Sequence, residues 1–287
     1  MTQLIEKILN KHFGNNIKLF SAKPVSGGCI NNAFALATSK GNFFLKTNSA
    51  AHYPHMFEKE KLGLKLIADT HTIAVPEVLF TDILESHQYI LMQYIERGYP
   101  AKNFWQNFAE SLYALHNNTS DRYGLFQDNY IGSLTQCNYP KSNWIEFFIQ
   151  YRLLPQIKSA QEKGYIENKL MDKFEKLFFK LNDILWIDQP SLLHGDLWSG
   201  NFMIKNDGNV CLIDPAVYYG HREAELAFTT LFGGFDQKFY EVYHSLANLP
   251  VGYQERYEIY NLYPLLVHLN LFGLGYLNSI KNILNLF

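Results

Sequence analysis

Residues 194–201 read His-Gly-Asp-Leu-Trp-Ser-Gly-Asn, and this stretch decides the fold. It holds a His-x-Asp triplet in which Asn201 follows Asp196 by five positions. Taken alone, Asp196 would more simply be an ordinary helix cap. The residues after Asn201 make a helix cap the weaker interpretation.

A β-hairpin is predicted directly after this stretch. Short apolar runs at 202–204 and 210–213 flank Asn-Asp-Gly-Asn at 206–209, a strong turn signal. The second run ends at Asp214. By itself Asp214 would fit a turn before a proline, but the ordered set of loop, hairpin and second aspartate is far more specific.

This order of residues is typical of phosphoryl transfer. A loop with this spacing can present one carboxylate, Asp196, to an incoming hydroxyl as a general base. It can also place the amide oxygen of Asn201 on a metal that is bound to phosphates. Asp214, leaving a strand beside the loop, is well placed to bind Mg²⁺, which prefers oxygen ligands. We therefore predict a phosphoryl-transfer reaction with Mg²⁺ held by Asn201 and Asp214.

Lys46 is the candidate cation of the amino-terminal part. It ends an apolar run at 43–46, where a lysine needs an anionic partner. Glu60 on the following predicted helix could supply that partner, and helix phase favours it over Glu58 only modestly. In isolation, a strand-edge lysine in solvent would be the simpler interpretation of Lys46.

A glycine-rich segment is the candidate phosphate loop. Gly27, Gly28, Cys29, Ile30 and Asn31 lie between two predicted strands, where backbone N–H groups can approach phosphates. A Gly-Gly pair between strands is more often a simple hairpin, and the segment lacks the GxGxxG pattern. It supports the prediction only together with the downstream motif.

The wider pattern predicts an α+β fold with two lobes, 1–95 and 96–287, separated near Gly98 and Pro100. The first lobe combines strands with helices at 1–13 and 55–69, and its predicted strands are 17–21, 32–37, 42–46, 78–81 and 88–95. The second lobe is mainly helical apart from the hairpin of the catalytic loop. Its predicted helices are 104–117, 144–163, 170–185, 224–232, 237–247, 254–271 and a last segment ending at 284.

Composition excludes several classes of protein. The 287 residues carry 25 Lys+Arg and 27 Asp+Glu, so bulk electrostatic binding to nucleic acid or to an anionic membrane is not expected. Three cysteines without CxxC spacing do not suggest a disulfide scaffold. The apolar stretch 262–277 is interrupted by polar residues, Pro264 and glycines, which favours a buried helix over a membrane span. Without a recognisable targeting segment, we expect a cytoplasmic protein.

The chain resembles the fructosamine kinase (ketosamine-3-kinase) family, which has a protein-kinase-like and aminoglycoside-phosphotransferase-like bilobal fold. The resemblance runs nearly from end to end, and Trp198 is its most distinctive residue. Besides 194–201, it is carried by 27–32, 44–46, 56–60, 128–132, Gln136, Asn138, Trp144, Phe147, Phe148, Arg152, Leu153 and 263–270. Asp214, Pro215 and Ala216 stand where protein kinases carry Asp-Phe-Gly, and Glu225 stands where related kinases often have Asp.

The resemblance implies an ATP-dependent kinase that acts on the 3-hydroxyl of a ketosamine, the sugar–amine adduct of glycation. Asp196 would be the catalytic base, and Asn201 with Asp214 would hold Mg²⁺. Lys46 would contact the α- and β-phosphates and pair with Glu60. The adenine would lie against Met92, Gln93, Tyr94 and Ile95. The acceptor would be a small fructosamine or ribulosamine, or a glycated lysine of a protein.

The substrate side is less determined by the sequence. Trp198 could offer a flat face to a sugar or lie in the core below the loop. His221 and Glu223 could meet polar sugar groups or simply be solvated. Arg152 could brace the catalytic loop or face solvent, and it is the last candidate for substrate binding.

The sequence leaves two other functions open. One is a different small-molecule kinase of the same fold, of the aminoglycoside, choline or homoserine type. The other is an inactive nucleotide-binding protein, which the presence of Lys46, Asp196, Asn201 and Asp214 disfavours. We expect a monomer, with a redox-linked dimer through Cys29 as the alternative.

Overall fold

The computed structural model of the chain describes residues 1–25 and 30–287. The chain divides into two compact units. The first comprises Met1–Lys102 and Met203–Ile213, and the second comprises Asn103–Phe202 and Asp214–Phe287. The hairpin assigned by sequence to the second lobe thus belongs almost entirely to the first unit.

Besides the hairpin, the first unit contains a five-stranded antiparallel sheet and two helices. Its elements are α1 (Thr2–Phe13), β1 (Leu19–Pro24), β2 (Asn32–Thr38), β3 (Gly41–Ser49), α2 (Met56–Ala68), β4 (Val78–Leu84) and β5 (His87–Gln93). The strand order is β1-β2-β3-β5-β4. Ile5, Ile8 and Leu9 of α1 pack against Leu45 and Leu91. Amphipathic patterning therefore places α1 over one part of the sheet.

Helix α2 buries a second apolar group. Phe57 and Leu64 of α2 pack against Ile90 and Met92 of β5. Because residues three and four apart share a helix face, the same packing sets the direction of Glu60. The long central strands β3 and β5 pair over seven residues, from Phe43 opposite Gln93 to Ser49 opposite His87.

The second unit is mainly helical, as predicted. The hairpin consists of β9 (Phe202–Ile204) and β10 (Val210–Leu212). The other elements after residue 103 are, in chain order, α3 (Phe104–His116), β6 (Asn129–Ile131), β7 (Leu134–Gln136), α4 (Trp144–Phe147), a π-helical turn (Phe148–Leu153), α5 (Leu154–Glu162), α6 (Asn168–Ile184), β8 (Ser191–Leu193), β11 (Tyr218–Gly220), α7 (Arg222–Thr229), α8 (Gln237–Ala247), α9 (Tyr253–Phe272), a 3₁₀ turn (Leu274–Tyr276) and α10 (Leu277–Leu284). Over the described ranges, no helix is both long and apolar enough to cross a bilayer.

Two short β pairs position the loop that carries the motif. Strand β8 ends at Leu193, directly before His194, and pairs antiparallel with β11, where Leu193 lies opposite Tyr218. Strand β9 begins directly after Asn201 and pairs with β10, which ends just before Asp214. The loop 194–201 and the segment 213–217 therefore each run between β elements that hold their ends.

Candidate active site

Backbone geometry at the start of the loop explains why glycine stands at 195. Gly195 has a φ of +84°, and a Cβ there would lie 2.1 Å from the carbonyl oxygen of Ala216. Only glycine fits such a close approach. His194 is fully buried, and its Nδ1 accepts the N–H of Asp196 at 3.3 Å. The His-Gly pair therefore shapes the turn that presents Asp196.

Asp196 and Asn201, five residues apart in the motif, are in direct contact. Asn201 donates its Nδ2–H groups to the backbone oxygen of Asp196 at 2.7 Å and to its carboxylate Oδ2 at 2.9 Å. Asn201 is 8% exposed, so this geometry is held by packing. With its nitrogen committed to Asp196, the atom that this amide could offer to a metal is its oxygen.

Asp214 follows β10 and lies on the surface of its unit. Its φ of +56° is left-handed, a conformation that residues with a side chain adopt at a cost of order 1–3 kcal/mol. Two residues on, the N–H of Ala216 donates to the carbonyl oxygen of His194 at 2.9 Å. That bond ties the segment of Asp214 to the start of the loop.

The site's donors fit a magnesium ion. Asn201 and Asp214 offer an amide oxygen and a carboxylate, which are hard oxygen ligands of the kind Mg²⁺ prefers. Burial raises the pKa of Asp196 well above its ordinary value, and the negative charges of Asp214 and Glu225 add to the effect, while the hydrogen bond from Asn201 opposes it. A cation bound beside Asp196 and Asp214 would offset the mutual repulsion of these carboxylates.

Glu225 of α7 fixes the backbone at the start of the loop. Its Oε1 accepts the N–H of Gly195 at 2.6 Å, and its Oε2 accepts the N–H of His194 at 3.1 Å. Burial alone would raise the pKa of Glu225, but its hydrogen bonds from His116 and from the backbone of Gly195 lower it. The Asp-to-Glu difference from related kinases therefore leaves a buried anion that supports the loop.

His116 is a supporting residue that sequence reasoning missed. It is fully buried at the end of α3, and its Nε2 lies 2.9 Å from Glu225 Oε2 while its Nδ1 lies 2.6 Å from the Tyr243 hydroxyl. Burial lowers the pKa of His116, so the neutral ring donates to Glu225 and accepts from Tyr243. A polar residue on the buried stripe of α3 was the available signal, but its partner is 109 positions away.

The first unit contains the ion pair expected of Lys46. Lys46 Nζ lies 2.7 Å from Glu60 Oε1, and the two side chains are 7% and 11% exposed. Glu58 is instead exposed and contacts His55 Nδ1 at 2.5 Å. Helix phase therefore selected the right glutamate, because α2 turns Glu60 towards the sheet.

The candidate phosphate loop is described only in part. Gly27, Gly28 and Cys29 lie outside the described residues, and with them the proposed redox role of Cys29. Asn31 is described: its Oδ1 accepts a hydrogen bond from Asn48 Nδ2 of β3 at 2.7 Å. The end of the segment is thus tied to the strand that carries Lys46.

The predicted adenine-binding residues lie at and after the end of β5. Met92 and Ile95 are buried, Tyr94 is partly exposed, and Gln93 is exposed. The N–H of Gln93 donates to the carbonyl oxygen of Glu77 at 2.8 Å. Met92 packs in the group of Phe57, Leu64 and Ile90.

Trp198 is partly exposed and lies across its own loop. A Cβ on Gly200 would lie 2.4 Å from the indole ring, so glycine is needed where the ring crosses the backbone. The ring also meets Phe232 edge-on, with centroids 5.9 Å apart. The two interpretations of Trp198 thus both describe part of it, because one portion packs on the loop and another remains accessible.

Three residues predicted to meet substrate lie in the interior instead. His221 is fully buried, caps α7 by accepting the N–H of Glu223 at 3.2 Å, and stacks on Tyr260. Glu223 is also fully buried and forms a bidentate ion pair with Arg256, at 2.6 and 2.7 Å. These two predictions are corrected, because a side chain whose polar atoms point into the core is not available to a sugar.

Arg152 is the third of these residues. It is fully buried and donates to the carbonyl oxygen of Cys137 and to Asn138 Oδ1, both at 2.7 Å. Its guanidinium lies over the rings of Tyr218 and Phe147, 4.0 and 4.6 Å from their centroids. Arg152 therefore braces the interior and does not bind substrate directly.

The comparisons with known proteins agree with this geometry. A probable ketoamine kinase of Synechocystis is 36% identical over 286 residues, covering 98% of this chain and 95% of that protein. The chloroplastic protein-ribulosamine 3-kinase of Arabidopsis thaliana is 38% identical over 277 residues, covering 95% of this chain and 84% of that one.

Solved structures show the same architecture. A Haemophilus somnus protein provisionally named as a fructosamine-3-kinase superposes with a TM-score of 0.88 at 28% identity, over 98% of this chain and 96% of that one. An aminoglycoside phosphotransferase in complex with AMP-PNP and hygromycin B gives a TM-score of 0.69 at 19% identity, over 98% of both chains, which shows the bilobal kinase-like fold. A sequence model described as fructosamine kinase matches residues 1–287. The chain therefore belongs to the fructosamine kinase family.

Proposed function

We propose that this chain is an ATP-dependent kinase that phosphorylates the 3-hydroxyl of a ketosamine, either a fructosamine or a ribulosamine. The names of its relatives, ketoamine kinase and protein-ribulosamine 3-kinase, support this substrate class. The likeness to aminoglycoside phosphotransferases supports the fold alone, so kanamycin, choline and homoserine serve as comparison substrates.

The Asp196–Asn201 contact inside the family's signature loop carries the proposal. A carboxylate held by a neighbouring amide can accept the proton of a substrate hydroxyl as that oxygen attacks the γ-phosphorus of ATP. Phosphoryl transfer needs alignment and charge neutralisation and no covalent enzyme intermediate. The loop supplies alignment because Glu225, His194 and Gly195 hold its backbone.

The remaining roles follow from residue chemistry. Asn201 and Asp214 would hold Mg²⁺, which neutralises phosphate charge when bound. Lys46, oriented by Glu60, would contact the α- and β-phosphates. Residues 27–31 would approach the phosphates through backbone N–H groups, and residues 92–95 would flank the adenine.

On the substrate side, the accessible part of Trp198 would offer an apolar face to the sugar. Trp198 follows Asp196 by two residues, so a sugar against the ring lies near the base. The amine would be free or belong to a lysine of a glycated protein, in which case the reaction begins deglycation. A cytoplasmic location stays a prediction.

The test is steady-state turnover with ATP and a panel of acceptors, with the phosphorylated carbon identified by NMR. The panel contains a fructosamine and a ribulosamine of a small amine, the same adducts on a lysine peptide, and the three comparison substrates. We expect the ketosamines to give the highest kcat/KM, with phosphate on carbon 3. A higher value for kanamycin or choline would overturn the substrate class, and nucleotide binding without any turnover would support the inactive alternative.

A further inference from the structure

A group of buried polar side chains lies under the segment that follows Asp214. Its members come from separate parts of the second unit and each is 7% exposed or less: Asn129, Gln136, Asn138, Arg152 and Tyr263. Burying this many polar groups is costly unless each finds a partner. We call this group the polar brace.

Two amides of the polar brace hold the main chain just after Asp214. Asn129 Nδ2 donates to the carbonyl oxygen of Val217 at 2.8 Å, and Gln136 Nε2 donates to that of Ala216 at 3.1 Å. The N–H of Ala216 donates in turn to His194. The segment is thus fixed by the polar brace on one side and by the catalytic loop on the other.

The other members orient these two amides. Arg152 donates to Asn138 Oδ1 at 2.7 Å, and Asn138 donates to Asn129 Oδ1 at 2.9 Å. Tyr263 donates its hydroxyl to Gln136 Oε1 at 2.7 Å. Because these oxygens already accept hydrogen bonds, the nitrogens of Asn129 and Gln136 are left to donate to the backbone carbonyls, and Gln136 Nε2 also donates to Asn129 Oδ1 at 2.8 Å.

Arg152 sets the donor-to-acceptor direction of the hydrogen bonds in the polar brace, because a guanidinium can only donate. Within 1–25 and 30–287, no carboxylate lies within 4.0 Å of it. Its charge is instead met by three oxygens and by the ring faces of Tyr218 and Phe147. A buried arginine held in this way starts a chain of donors that ends on the backbone beside Asp214.

The left-handed backbone conformation of Asp214 indicates what the polar brace stabilises. A left-handed aspartate persists only where its surroundings over-determine its conformation. We propose that the polar brace consists of positioning residues that hold Ala216 and Val217 and so aim the Asp214 carboxylate at the metal. This inference rests on the proposed function in one respect, the assignment of Asp214 as a ligand of Mg²⁺.

The experiment compares two tyrosines of α9. Tyr263→Phe removes one hydroxyl from the polar brace. Tyr260→Phe, one turn away and equally buried, removes a hydroxyl that accepts from Trp144 Nε1 at 3.1 Å, outside the polar brace. Gln136→Met is the stronger variant, because it also removes the bond to Ala216.

The main readout needs no acceptor substrate. The melting temperature of each variant is measured with AMP-PNP while Mg²⁺ is titrated, which gives the Mg²⁺ concentration for half-maximal stabilisation. We expect Tyr263→Phe to raise this concentration roughly two- to tenfold, the loss of one neutral hydrogen bond, and Gln136→Met to raise it at least as much. Tyr260→Phe should leave it unchanged even where the melting temperature without ligand falls.

Hydrogen exchange of residues 214–220 is the second readout. Exchange should quicken in Tyr263→Phe and Gln136→Met but not in Tyr260→Phe. Equal Mg²⁺ midpoints in all variants, or shifts that merely follow the melting temperature, would overturn the proposal, as would a wild type that Mg²⁺ does not stabilise. Shifted midpoints in a protein that ignores ketosamines would leave the polar brace standing and refute the substrate assignment alone.

Discussion

Two short stretches of the second unit carry the same kinds of side chain and use them differently. Residues 194–201 contain a histidine, an aspartate and an asparagine, and residues 221–225 contain a histidine and two glutamates. In the first stretch Asp196 is partly exposed, whereas His221 and Glu223 in the second are fully buried.

The two stretches differ in where their partners lie. Asp196 is bonded by Asn201, five residues on. Glu223 is bonded by Arg256, 33 residues away, and by Trp186, 37 residues away. With its local partner, Asp196 is oriented and stays partly exposed, whereas the distant partners of Glu223 enclose that carboxylate. Residue type therefore did not separate the two stretches, but local spacing did.

The largest effect is expected in the first stretch. Asp196→Asn should lower kcat by about 10²–10⁴-fold, because the amide cannot accept the proton of the substrate hydroxyl. Nucleotide binding, followed by thermal stabilisation with AMP-PNP and Mg²⁺, should survive. The matched control is Asp183→Asn on the exposed face of α6. A near-normal kcat in Asp196→Asn would remove this residue from the role of base.

A substitution in the second stretch should instead lower the stability of the fold and leave turnover almost unchanged. Glu223→Gln leaves the buried guanidinium of Arg256 without its counter-charge, which should cost about 3–5 kcal/mol of unfolding free energy. Below the unfolding transition, kcat should stay within about twofold of wild type. Urea unfolding and turnover of the same samples test both statements, with the exposed Glu255→Gln as control. A stable variant with a much lower kcat would return Glu223 to the substrate site.

The pH dependence of stability gives a third test. Burial, aided by the charges of Arg222 and Arg256, lowers the pKa of His221 to about 3. In the unfolded chain the ring titrates near its ordinary value of about 6.5. The unfolded state therefore binds a proton first, and this contribution to stability is full above about pH 6.5 and is lost as the pH falls towards 3.

His221→Asn should remove that loss. Asparagine keeps an acceptor for the N–H of Glu223 at the start of α7, so the helix cap survives. Urea unfolding between pH 7.5 and 4.5 should show a slope shallower than wild type by at most about 1.4 kcal/mol per pH unit. Identical slopes would mean that His221 is already protonated in the fold.

The sequence predicted most elements that have strong local signals. The loop, the hairpin and the strands of the first unit are confirmed, because turn residues and apolar alternation mark them. The pairs β6–β7 and β8–β11 were missed, because three-residue strands are too short to show a pattern. The predicted helix 144–163 is interrupted by the π-helical turn Phe148–Leu153, which its periodicity did not reveal.

The supporting residues were harder to assign than the reactive ones. Asp196 and Asn201 stand five positions apart, so a motif contains both. His116 and Glu225, or Arg152 and Asn138, come together only when helices and strands pack. A single sequence shows that such residues are polar on buried stripes, but it cannot say which of them meet.

The smallest effect is expected in the first unit, where Glu58 and Glu60 of helix α2 can be compared in the same way. Glu60→Gln keeps an acceptor for Lys46 but removes the counter-charge, so the ion pair becomes a hydrogen bond from the ammonium to a neutral amide oxygen. We expect kcat/KM for ATP to fall about tenfold, or about 1.4 kcal/mol. Glu58→Gln changes only an exposed contact with His55 and should alter kcat/KM by less than about twofold. Equal losses in the two variants would show that the charge of α2 as a whole matters, and that the enclosed pair at Lys46 does not orient the lysine.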